Sequence, residues 1–82
     1  MRIVLAEDAA LLREGLVGIL ERAGHQVVAA VEDADALLAF TARLLPDLVV
    51  TDIRMPPTHT DEGLRAAARI RADHPGLSLI HI

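Results

Sequence analysis

Short apolar runs that stop at acidic residues, separated by stretches of helical spacing, constrain this chain more than any other feature. Ile3-Val4-Leu5-Ala6 contains no polar residue and ends abruptly at Glu7-Asp8. A run of that length without alternation is the pattern of a strand covered on both faces. Val27 to Val31 is a second run, bounded by His25-Gln26 and Glu32. Leu48-Val49-Val50-Thr51 is a third and again ends in an acid, Asp52. Leu77 to Ile82 makes a fourth, and the chain ends inside it or at its edge.

Between the runs the apolar residues recur at helical spacing. Leu12, Leu16, Ile19, Leu20 and Ala23 form one stripe, with Arg13, Glu14, Glu21 and Arg22 off it and Gly24 as the stop. Close helix packing would account for Gly15 and Gly18, which inside a helix cost about 1 kcal/mol each relative to alanine. Leu37, Leu38, Thr41, Leu44 and Leu45 define a second helix, capped by Asp33 or Asp35 and broken at Pro46-Asp47. A third carries Leu64, Ala67, Ala68 and Ile70, with Thr60 or Asp61 as cap and Pro75-Gly76 beyond its end. Ile53 to Asp61, with Pro56-Pro57 and two threonines around His59, is a loop.

Strand, helix, strand, helix, strand, helix, strand with short connections predicts an α/β fold, a doubly wound parallel sheet joined by right-handed crossovers. Eighty-two residues suffice for one such unit. Ligands of these sheets bind beyond the carboxyl ends of the strands, where successive crossovers leave on opposite faces. With the first strand beside the third, Glu7 and Asp8 come close to Asp52. Crowded carboxylates repel, and a shared proton or a bound cation relieves them. A hard divalent cation such as Mg²⁺ suits oxygen donors with an open side for a phosphate oxygen. Beside it, a carboxylate can attack a phosphoryl donor to give an acyl phosphate, and Asp52, alone at its strand end, is the candidate nucleophile. The competing reading of each acid is a helix cap, with Asp8 capping the first helix.

Composition narrows the partners. A formal charge of −4 speaks against a nucleic-acid-binding surface. Every one of the eight basic residues is arginine, so the chain has no lysine. Without cysteine there is neither a disulfide framework nor a thiolate zinc site. His25, His59, His74 and His81 are too scattered for a zinc pattern and are expected at the surface or at strand ends. Arg65, Arg69 and Arg71 on the third helix read as a solvated face before a contact patch. No segment approaches the ~20 apolar residues of a membrane span, and the apolar start is too short for a signal peptide. A cytoplasmic location with no membrane partner is expected.

Glu7-Asp8 after Arg2-Ile3-Val4-Leu5-Ala6, followed by Pro46-Asp47-Leu48-Val49-Val50-Thr51-Asp52-Ile53-Arg54-Met55-Pro56, resembles the receiver domain of bacterial two-component response regulators. The likeness is strongest to receivers that precede LuxR-type helix-turn-helix DNA-binding domains. It implies a flavodoxin-like receiver fold with strand order 2-1-3-4 and a phosphoacceptor, rather than an enzyme, that takes its phosphoryl group on Asp52 from a sensor histidine kinase. It also implies Mg²⁺ held by Asp8, Asp52 and the backbone carbonyl of Arg54, with Glu7 acting through a metal-bound water. A homodimer would be a controlled state, and DNA would be reached only through a C-terminal domain outside this chain.

The family carries a Ser or Thr at the end of strand four and a Lys at the end of strand five. In register the hydroxyl residue would follow Ile82, and lysine is missing, so both switch residues are absent from this chain. Residues 1–82 are therefore expected to form a partial receiver domain, lacking the last β/α units. Pro57 to Glu62 lengthens the usual connection to Gly63-Leu64 and reads as a tolerated surface insertion; the alternative is that His59 approaches the phosphoryl site, though nothing in the sequence orients it. Two other functions compete. A phosphorylation-silent fragment would dimerise through an unpaired fourth strand carrying Leu79, Ile80 and Ile82. An aspartyl-nucleophile phosphohydrolase is disfavoured by Arg54, where such enzymes resemble one another in having a second Asp.

Overall fold

Four parallel strands lie in the order β2-β1-β3-β4 in a computed structural model that describes all 82 residues. The elements run β1 (Arg2–Ala6), α1 (Ala10–Arg22), β2 (Gln26–Val31), α2 (Ala34–Leu44), β3 (Leu48–Thr51), α3 (Glu62–Asp73) and β4 (Ser78–His81). The doubly wound parallel sheet is as the sequence predicts. β1 is central, pairing β2 on one side and β3 on the other. Its residues Ile3 to Ala6 are completely buried, as an unalternating apolar run requires.

Alternate residues along the strands feed two cores. Val4, Ala6, Val31 and Val49 join Leu37 of α2 and Ala66 and Ile70 of α3 on one face. Ile3, Leu5, Leu48 and Val50 form the other, packed against Leu16, Val17 and Leu20 of α1. The crossover β1-α1-β2 thus lies on the opposite face from β2-α2-β3, and the switch point falls between β1 and β3.

Several helix details depart from the expected pattern. On α1, Leu12 and Ile19 face solvent, as does Leu11 at 86% exposure, while Val17 turns inward with Leu16 and Leu20. The apolar stripe of α1 is wider than the strip of sheet it covers, and no second helix flanks it. Gly15 and Gly18 do not mark close packing: open space surrounds Gly15, and Gly18 meets only the Arg22 side chain. On α3 the inward row is Gly63, Ala66, Ala67 and Ile70, and Leu64 and Ala68 point outward. Gly63 is buried there because the first turn of this helix runs tight against the backbone just beyond β3. Asp33 caps α2, its carboxylate accepting the Ala36 N–H at 2.7 Å. Asp61 occupies the corresponding position of α3 without capping it and pairs instead with Arg65 at 3.1 Å.

Candidate functional site

The strand ladder sets the position of the acids. Beyond the last paired residues, Glu7 N–H donates to Val31 O at 2.9 Å and Asp52 N–H to Ala6 O at 3.0 Å. Those two bonds carry the sheet one residue further and bring the end of β3 beside Glu7. The turn that holds Glu7 and Asp8 is tied down by α1, where the Arg13 guanidinium donates to Glu7 O at 2.8 Å. Carboxylate oxygens of Glu7, Asp8 and Asp52 consequently gather within 4.8 Å of one another.

The environments of the three acids differ. Glu7 is only 3% exposed, and one of its oxygens, Oε1, accepts the Ala9 N–H at 3.2 Å. Its other oxygen, Oε2, is buried with no partner. Burial pushes the Glu7 carboxyl above the usual carboxylate range; the Ala9 hydrogen bond opposes this, and Asp52 and Asp8 add to it. Asp52 is half-buried, with Oδ1 accepting the Arg54 N–H at 3.3 Å. Asp8 is held down by His59: Nε2 lies 2.9 Å from Oδ2, and this hydrogen bond is the main reason the Asp8 carboxyl falls below its ordinary range.

The cap reading of Asp8 therefore does not hold. The N-cap of α1 is Ala9, which makes no side-chain cap bond, and the nearest carboxylate on a helix-end amide belongs to Glu7. The inserted loop turns His59 onto Asp8, an orientation the sequence alone does not specify and the one that the alternative reading of this loop calls for. His25, His74 and His81 take no part in the cluster. A buried, unpartnered carboxylate oxygen inside a cage of acids fits a hard divalent cation, whose bound water would satisfy it while the ion offsets the repulsion.

Three residues beyond those predicted build the site. Arg13 fixes the acidic turn, as above. Glu62, 7% exposed at the start of α3, collects the Thr58 N–H at 2.8 Å, the Thr60 N–H at 3.1 Å and the Thr58 hydroxyl. Those donors drive its carboxyl down to about 2. Gly63 packs directly on the backbone of Asp52, where an added Cβ would fall 1.7 Å from the Asp52 carbonyl oxygen.

A parallel sheet in this order, with acids meeting at the switch point, defines the flavodoxin-like receiver class. The chain belongs to the response regulator receiver domain family, which it matches over residues 3–82. Over 78 residues, 95% of its length, it is 40% identical to the sensor histidine kinase AruS of Pseudomonas aeruginosa, of which it covers 7%. It is 36% identical over 80 residues to the virulence transcriptional regulatory protein PhoP of Salmonella typhimurium, covering 98% of this chain and 34% of that one. The solved signal receiver domain of the response regulator NarL from Mycobacterium tuberculosis superposes with a TM-score of 0.86 at 32% identity, over 98% of this chain and 63% of the other. The chain thus spans about a third or less of these curated relatives, which themselves differ in kind. No helix is long and apolar enough to cross a membrane.

Proposed function

We propose that this chain is a phosphoacceptor unit of two-component signalling, taking a phosphoryl group on Asp52 from a histidine kinase in the presence of Mg²⁺. The observation that carries this reading is the cage of Glu7, Asp8 and Asp52 oxygens within 4.8 Å, with Glu7 Oε2 buried and unpartnered. Asp8, Asp52 and the Arg54 carbonyl are the proposed ligands, and Glu7 reaches the ion through a water. When bound there, Mg²⁺ offsets the negative charge that gathers as a phosphoryl group approaches three carboxylates.

The protein's own part is positioning. Arg54 N–H holds Asp52 Oδ1 and so fixes the rotation of the carboxylate. The other oxygen has no backbone donor and is the proposed nucleophile. It attacks phosphorus, the P–N bond of the kinase phosphohistidine breaks, and the electron pair leaves with the imidazole. The product is an acyl phosphate carrying about −2 in place of the −1 of the carboxylate it replaces, a net gain of about −1 charge at the strand ends. Likeness to the transcriptional regulatory protein PhoP supports an output in transcription, and likeness to the NarL receiver supports the LuxR-type branch for that output; a cytoplasmic setting belongs to the same reading.

Intact mass after incubation with Mg²⁺ and acetyl phosphate tests the reading. One added phosphoryl group, lost in Asp52→Asn, is expected. A second reading, a phosphorylation-silent module that works by pairing, draws on β4, whose Ile80 is 51% exposed. No added mass in a folded sample would favour that one.

A further inference from the structure

The connection from β3 to α3 is an arch with its own anchor. Glu62 binds donors on both sides of His59, from Thr58 before it and Thr60 after it. Between them His59 is held in the left-handed region, φ 55°, with its N–H on Met55 O at 2.9 Å. Such a conformation is unfavourable for a histidine and persists only where its surroundings dictate it. Its result is to carry the imidazole across to Asp8, 51 residues earlier in the chain. A tolerated insertion would need neither the buried anchor nor the strained residue at its tip.

Where the imidazole stops is informative. Nε2 reaches Asp8 Oδ2, yet His59 is not among the groups whose donor atoms crowd within 4.8 Å. Of the three acids it hydrogen-bonds Asp8 alone. Only a ring N–H can bond a carboxylate oxygen, so Nε2 donates and Asp8 Oδ2 is the oxygen it occupies.

We propose that His59 is a positioning residue for the cation site, fixing the rotation of the Asp8 carboxylate through Oδ2 so that its other oxygen is presented to the ion. The inference rests on the reading of the acids as a cation site. It makes the arch part of the binding machinery: Glu62 holds the loop, the loop holds His59, and His59 holds a ligand. Partners of this kind around metal ligands typically contribute 10–100-fold in affinity.

The test is a Mg²⁺ titration of the 82-residue chain followed by ¹⁵N NMR, on wild type, Asp8→Asn, His59→Ala and His59→Gln. Amide dispersion and the thermal midpoint of each variant report whether it is folded. Saturable wild-type binding is expected, lost in Asp8→Asn and weakened about 10–100-fold in His59→Ala. Glutamine also offers an N–H, and His59→Gln is expected to recover most of the affinity. A purely structural role would lower the thermal midpoint of His59→Ala and leave its Mg²⁺ affinity as in wild type, which overturns the proposal. Tighter binding by His59→Ala also overturns it, by making His59 a competitor for Asp8. Absence of wild-type binding overturns the cation-site reading and this proposal with it.

Discussion

On one face of the sheet α2 and α3 close over Val4, Ala6 and Val49, and Leu37, Met55 and Ile70 are sealed from solvent. On the other, α1 alone covers Ile3, Leu5, Leu48 and Val50, and no residue of that helix is fully buried. The same strands supply both cores through their alternation, so the inequality comes from the number of helices and not from the sheet. The well-covered face also anchors the arch, since Met55 belongs to its core and Glu62 opens α3. The site is therefore fastened to the tighter half of the molecule, while apolar surface is left on the looser half and along β4.

The largest effect that would break this comparison is in core truncation. Leu37→Ala is expected to cost about 2–5 kcal/mol, a large part of the stability of a domain this small. Leu16→Ala, on the half-covered face, is expected to cost roughly half of the 1.5–3 kcal/mol that complete burial of a leucine is worth. Urea denaturation of both variants measures the difference. Equal costs would mean that the α1 face is covered in solution by another surface.

A second, smaller effect concerns the open edge. β4 pairs only β3, and Ile80 on it and Ile82 just beyond it are half exposed. Sedimentation of the wild type is expected to depend on concentration in the micromolar range, and Ile80→Lys to abolish that dependence. A monomer at every concentration would remove the edge from the argument.

The smallest effect sharpens the tight half. Glu62 has a folded pKa of about 2, below its ordinary 4.5, so it stabilises the fold most fully above 4.5 and loses that contribution as pH falls toward 2. Thermal midpoints of wild type and Glu62→Gln, measured across that window, are expected to converge as acid is added. Parallel curves would mean that Glu62 does not anchor the arch through its charge.

β1, β2 and β3 were legible because each is built on a contiguous apolar run, as a strand covered on both faces must be, whereas β4, Ser78-Leu79-Ile80-His81, was legible from its place after Pro75-Gly76. The acids were legible for a related reason, since strand ends are fixed once the runs are fixed, and β1 beside β3 brings Asp52 to Glu7. Helix phase was harder to read. Pattern reasoning turns leucine inward, yet on α3 the buried row is Gly63, Ala66, Ala67 and Ile70, and at Gly63 the backbone of Asp52 leaves no room for a side chain. The arch was not legible. Its shape depends on one glutamate reaching three donors and on a left-handed residue, and the alternation of Thr58 and Thr60 before Glu62 is its only trace in the chain.

Gly63 bears on motion as well as on packing. With its N–H on Ile53 O at 2.8 Å and its Cα against the Asp52 carbonyl, it leaves no side chain between the end of β3 and the first turn of α3. A rotating side chain can absorb a small backbone shift, whereas two backbones in direct contact cannot. A displacement of Asp52 that α3 did not follow would have to open the Gly63–Ile53 hydrogen bond.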